Sequence, residues 1–145
     1  MIVIASDHAG VDLKSQVVEL IAEAGLDIRD LGPADTTSVD YPDFAHAVAE
    51  AVARGEAERG ILICGTGIGM SLAANRHPQV RAALCHDAFT AEMARRHNDA
   101  NVLCIGARST GPGVVEQMVR IFLETTFEGG RHQQRVDLIE LERGD

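Results

Sequence analysis

Ten residues near the middle of the chain constrain it most: Gly60-Ile61-Leu62-Ile63-Cys64-Gly65-Thr66-Gly67-Ile68-Gly69 carries a short apolar strand straight into three alternate glycines, with a thiol at the junction. Such a run fits a tight turn from a buried strand into a helix. Glycines let the backbone approach a ligand closely and turn its N–H groups inward, so a negatively charged oxygen can be held there without any side chain. A thiol beside an anion cradle points to an enzyme that generates an oxyanion. The plain alternative is a strand-to-helix turn that holds no ligand. A dinucleotide fingerprint would need glycine where Met70 stands, and a phosphate-binding Walker loop would need Gly-Lys-Ser/Thr, which is absent.

The rest of the chain alternates strand and helix around this turn. Met1 to Ala5 is an apolar run, and Leu13, Val17, Leu20, Ile21 and Ala24 follow at helical spacing until Gly25. Leu26 to Asp30 alternates like an edge strand, after which Phe44, Val48 and Val52 mark a helix closing at Gly55. Ile61 to Cys64, Val80 to Cys85 and Asn101 to Ile105 predict three more strands. Helices are expected around Met70 to Asn75, Ala88 to His97 and Val114 to Glu124, with a terminal helix over Arg131 to Glu142. Five strands joined by crossover helices imply a three-layer, Rossmann-like α/β fold: an open parallel sheet with helices on both faces. The 145 residues suit one domain, and the sparsely apolar segment from Glu128 onward is expected to dock on a partner subunit.

A formal charge of -9 and 3% aromatic content argue against a nucleic-acid binder. Five apolar residues at the start are far short of a signal h-region or a membrane span, so a soluble, cytoplasmic protein is expected. Three cysteines without a C-x-x-C pair disfavour a disulfide framework and a zinc site.

In open parallel sheets ligands bind beyond the carboxyl ends of the strands. Asp7-His8 after the first strand, Cys64 with its glycines after the third, and His97-Asn98 before the fifth are expected at equivalent ends of the sheet. Each has a plainer reading. Cys64 can be a buried strand residue, although the following helix N-terminus favours the thiolate. Asp7 can cap the next helix, and His97 with Asn98 can be a solvated helix end. Arg131 and Arg135, four apart on one helix face, can grip one phosphate or stand as two exposed charges. Cys85 and Cys104 lack neighbouring glycines and are assigned to packing.

Taken in order, Ser6-Asp7-His8-Ala9-Gly10, Asp40-Tyr41-Pro42, the 60–69 run, Ala73-Ala74-Asn75, Arg95 to Asn101, Gly106-Ala107-Arg108 and Glu128 to Arg135 resemble the ribose-5-phosphate isomerase B family over essentially the full chain. That family also contains galactose-6-phosphate isomerase subunits and allose-6-phosphate isomerases. The resemblance implies cofactor-independent and metal-independent interconversion of D-ribose 5-phosphate and D-ribulose 5-phosphate through an enediolate, with Cys64 as the base; allose 6-phosphate, galactose 6-phosphate or a tetrose phosphate is the alternative substrate. Some members use instead a carboxylate in the following helix, where Met70-Ser71 offers none. It further implies that backbone N–H groups of Gly65, Gly67, Ile68 and Gly69 hold the enediolate and that His97 and Thr66 open the sugar ring. Asp7, Tyr41 and Asn98 are implied to orient hydroxyl or carbonyl groups, and His8, Arg108, Arg131 and Arg135 to clamp the phosphate. A homodimer or tetramer with shared sites is implied, the C-terminal arginines reaching a neighbour's pocket. A Cys64/His97 hydrolase and a non-catalytic phosphosugar sensor are the readings from other classes.

Overall fold

The computed structural model describes residues 1–141. Five strands, β1 (Ile2–Ser6), β2 (Ile28–Asp30), β3 (Arg59–Cys64), β4 (Ala82–Leu84) and β5 (Val102–Gly106), form one wholly parallel sheet in the order β2-β1-β3-β5-β4. The helices are α1 (Val11–Glu23), α2 (Tyr41–Ala53), α3 (Ile68–Ala74), α4 (Ala88–Asn98), α5 (Pro112–Glu124) and α6 (Arg131–Asp137). The expected three-layer architecture is the one observed.

Period-two alternation along the buried strands divides the core in two. Ile2, Ile4, Ile61, Ile63, Leu103 and Ile105 face α1, α4 and α5, where they meet Val17, Ile21, Ala91, Met118 and Phe122. Val3, Ala5, Leu62, Cys64, Val102 and Cys104 face α2 and α3, packing on Ala45, Val48, Ala49, Val52, Met70 and Ala74. Because β1 is followed by a helix on one face and β3 by a helix on the other, a crevice opens between their carboxyl ends.

The two edge strands are shorter than the sequence pattern predicts. At β4 the cause is visible: the Asn101 side chain accepts from Arg81 N (2.8 Å) and donates to Gln79 O (2.8 Å), while Asn75 exchanges two 2.9 Å bonds with the backbone of Ala82. Side-chain amides there take the partners a longer ladder would supply. The terminal helix also stops early, at Asp137, followed by a turn; Glu142 lies outside the described residues. Among the described residues no helix is long and apolar enough to cross a membrane.

Two charged side chains are almost wholly buried. Lys14 lies on the Val17/Ile21 stripe of α1 and donates to Asp30 Oδ1 (2.8 Å) and Pro33 O (2.6 Å), tying the loop after β2 to the helix. Arg95 donates to Thr125 O (3.1 Å), Asp99 Oδ1 (2.9 Å) and Ala100 O (2.6 Å), fixing the end of α4 to the start of β5 and the end of α5. Each charge is compensated where it sits, as burial requires.

His46 Nδ1, in the middle of α2, and His77 Nε2, in the turn that follows α3, stand 2.7 Å apart, one ring donating and the other accepting. Burial, then the neighbouring His46, lowers the His77 pKa, with Glu50 opposing. A folded-state value below the ordinary 6.5 means the unfolded chain binds the proton more readily. The stability this pair contributes is therefore complete above that value and is lost as pH falls toward the lowered one. Thermal unfolding measured from about pH 7 down to about pH 5 should show a midpoint decline that is shallower in His77→Gln than in the parent. Parallel declines would remove His77 from this role.

Candidate active site

The loops after β1, β3 and β5 are stitched together by main-chain hydrogen bonds. Asp7 N donates to Ile63 O (3.0 Å), Ala107 N to Cys64 O (2.8 Å) and Arg108 N to Gly65 O (2.9 Å). This lattice places Asp7, His8, the 64–69 turn and Arg108 side by side at the carboxyl ends of adjacent strands. Asp7 Oδ1 accepts from Ala9 N (2.9 Å), so the carboxylate caps the one-turn 3-10 helix His8–Gly10. His8 Nδ1 accepts from Val39 N (3.2 Å), an acceptor role that leaves the proton of the neutral ring on Nε2.

Cys64 is 5% exposed, and its Sγ accepts from Gly67 N at 3.1 Å. That N–H serves the sulfur directly, a stronger influence than the macrodipole of a helix as short as α3, seven residues. Ile68 N donates to Thr66 Oγ1 (3.3 Å), and the Thr66 side chain is exposed above the turn. Two of the four expected enediolate donors are thus engaged within the turn itself, while the Gly69 N–H, in the first turn of α3, has no intrahelical acceptor.

The glycines are demanded by space as well as by conformation. Gly67 has φ 78°, and a methyl group on it would lie 2.6 Å from Leu84 Cδ1 and 3.0 Å from the Ile105 carbonyl carbon. At Gly69 a methyl would lie 2.6 Å from Cε2 of Tyr41, whose ring covers this part of the turn. Over Gly65 runs the Arg108 side chain, its Nη1 3.6 Å from where a methyl would stand. Tyr41 and Arg108, distant in sequence, are thereby placed on the two flanks of the thiol loop. Cys85 and Cys104 are packing residues, as expected: burial pushes the Cys85 thiol up to about 11 and that of Cys104 further still.

His97 and Asn98 do not join this group. Helix α4 runs antiparallel to the strands, so the residues that end it sit at the amino end of β5, whereas Cys64 pairs in register with Gly106 at the carboxyl end. The five residues of β5 separate the two levels by about 16 Å, beyond the reach of an imidazole. The expectation of a shared sheet end confused a helix that precedes a strand with a loop that follows one. Arg131 and Arg135 belong to the same lower level, because α6 packs on α4 with His132 and Val136 buried. There the His97 and His132 rings stack at 4.2 Å with a 12° tilt, and each Nε2 lies 4.0 Å from an oxygen of Glu128. An open groove of about 670 Å³, lined in part by Arg76, Arg81, Asn98 and Ile139, lies on this face.

Glu128, His132 and Arg95 were not singled out from the sequence as working residues. The available signals were the i, i+4 spacing of Glu128 and His132 and the position of Arg95 on the same helical stripe as Ala91.

The ribose/galactose isomerase family model matches residues 2–139. The chain belongs to that family. Ribose-5-phosphate isomerase B of Escherichia coli is 45% identical over 133 residues, covering 92% of this chain and 89% of its own length. Among solved structures, the type B ribose 5-phosphate isomerase of Trypanosoma brucei superposes with a TM-score of 0.92 at 50% identity, covering 95% of both chains. The Mycoplasma genitalium ribose-5-phosphate isomerase B, solved with bound ribulose 5-phosphate, gives 0.92 at 45% identity, over 95% of this chain and 92% of that one. The family assignment matches the resemblance read from the motifs.

The two glycines predict different failures. Gly67→Ala should lower stability by about 2–4 kcal/mol, combining left-handed strain with overpacking against Ile105. Gly69→Ala sits in a helix that favours alanine and meets only a side chain that can swing away, so it should unfold close to the parent temperature with the Tyr41 ring displaced. Tyr41 is the one tyrosine and the chain has no tryptophan, so intrinsic fluorescence reports that displacement directly. Equal losses of stability in both variants would contradict the distinction.

Proposed function

We propose that this isomerase interconverts D-ribose 5-phosphate and D-ribulose 5-phosphate with Cys64 as the base. The observation that carries the reading is the Gly67 N–H donated to Cys64 Sγ, inside a glycine turn at the carboxyl ends of the central strands. Cys64 Sγ meets a backbone donor, the partner a thiolate base uses. It takes the proton from C2 of the open-chain aldose; the C–H electron pair becomes the C1=C2 bond, and the carbonyl pair moves to O1. Main-chain donors of the turn receive the charge, Gly69 foremost because the Gly67 and Ile68 N–H groups are already used. The same sulfur returns the proton to C1, which takes it with the C1=C2 pair, while the O2 proton passes to O1 and the O2–H pair becomes the C2=O bond. Asp7, Tyr41 and Asn98 orient hydroxyl and carbonyl oxygens, and His8, Arg108, Arg131 and Arg135 take the phosphate. Neither cofactor nor metal is required.

The substrate is mostly a closed furanose, and His97 with Thr66 opens it. These two residues stand at opposite ends of one sheet, so the working site joins the Cys64 end of one subunit to the His97 end of another. A two-fold dimer satisfies this with two identical composite sites, because an isologous contact repeats each pairing in reverse. Exposed apolar side chains at both ends support the docking: Tyr41, Ile68 and Leu72 beside the thiol loop, Leu138, Ile139 and Leu141 after α6.

Two experiments test this. Cys64→Ala should lose about 10³-fold in kcat and stop exchanging the C2 proton with solvent deuterium while still binding sugar phosphate; retained exchange would remove Cys64 as base. Cys64→Ala and His97→Ala, each inactive alone, should regain about a quarter of parental activity when unfolded and refolded together, since half the dimers are mixed and each mixed dimer holds one intact site. No recovery in a confirmed mixed dimer would refute the composite site. NMR assays against ribose 5-phosphate, allose 6-phosphate and galactose 6-phosphate rank the sugars.

A further inference from the structure

We infer that Glu128 is the positioning carboxylate of His97, holding that imidazole in place for ring opening. The inference rests on the isomerase reading above. Glu128 is fixed next to its target: its main-chain N–H donates to the carbonyl of Arg96, the residue before His97, at 3.1 Å. Its carboxylate divides between two rings, Oε1 at 4.0 Å from His97 Nε2 and Oε2 at 4.0 Å from His132 Nε2. The parallel stack of the rings, 4.2 Å between centroids, limits how His97 can tilt. Arg95, bonded at three points, holds the helix end on which His97 rides.

The surrounding charges say why a carboxylate is needed. From α6, Arg131 and Arg135 bring two positive charges to this cluster, and on α4 itself Arg96 is paired with Glu92 at 2.8 Å. Burial, followed by the charges of His97, Arg131 and Arg135, lowers the His132 pKa, with Glu128 opposing. Within this group Glu128 sets a carboxylate between the two rings and opposite the two arginines. In ring opening the protonated His97 gives its proton to the ring oxygen as the C1–O4 bond breaks, the pair going to O4. The anomeric hydroxyl loses its proton through Thr66, and its O–H pair becomes the C1=O bond. Glu128 touches none of the reacting atoms; it acts through the imidazole.

Ring opening and proton abstraction can be measured separately with the natural pair of sugars. Ribulose 5-phosphate cannot close on C2, because the C5 hydroxyl required is esterified, so solvent deuterium entering its C1 position reports enediolate chemistry without any ring step. Glu128→Gln should lower kcat on ribose 5-phosphate about tenfold with KM within about twofold. Its deuterium exchange into ribulose 5-phosphate should stay within about twofold of the parent, and Glu128→Asp should recover part of the lost kcat. Equal losses in turnover and exchange, or no loss in either, would overturn the proposal. A parent enzyme with neither turnover nor exchange would instead refute the isomerase reading on which it rests.

Discussion

Three backbone hydrogen bonds hold the chemistry of this fold in place: Asp7 N to Ile63 O, Ala107 N to Cys64 O and Arg108 N to Gly65 O. They join the ends of β1, β3 and β5 after the regular ladder has stopped. Main-chain bonds of this kind do not depend on side-chain rotamers, so the loop that carries the thiol inherits the rigidity of the sheet beneath it. The glycines extend the same logic. Gly67 lets the chain double back so that its own N–H meets the sulfur three residues earlier, and Gly69 clears the space in which Tyr41 lies.

A different principle organises the opposite end of the sheet. There the anchors are charged side chains with their bonds directed inward, Arg95 above all, whose guanidinium fork spans the end of α4, the start of β5 and the end of α5. Burying it is tolerable because carbonyl and carboxylate oxygens meet its donors, and because Phe122 lies under the ion at 5.9 Å. What stands on this platform is carried on side chains: two stacked imidazoles, a half-exposed carboxylate and two exposed arginines. The division suits the two tasks proposed, one end holding charge that develops on carbon and oxygen, the other passing protons.

Much of this was legible before any coordinates. Alternating apolar runs and helical stripes named all five strands and both layers of helices, and the thiol with its glycines located one half of the site. The edge strands were overextended because apolar pattern does not register that Asn75 and Asn101 side chains replace ladder partners around β4. The burial of Lys14 and Arg95 was missed for a related reason: a charge in a helix reads as a solvated face unless its place on the apolar stripe is checked first. His97 was put at the wrong end of the sheet although the information was present. In a parallel sheet each crossover helix returns toward the amino ends, so its last residues and its first residues never share a level.

That geometry bears on how an acidic chain can bind a dianion. With a net charge of -9 the protein repels sugar phosphates at long range, yet screening confines each charge to about 8 Å at physiological ionic strength. What decides binding is therefore the handful of cations within that distance of the phosphate, and a single subunit divides them, Arg108 beside the thiol loop and Arg131 with Arg135 on α6. In the composite site proposed above the two groups meet, so that assembly concentrates the cations at the moment it completes the proton chemistry. In that proposed site substrate affinity and catalytic competence arise from the same contact between subunits.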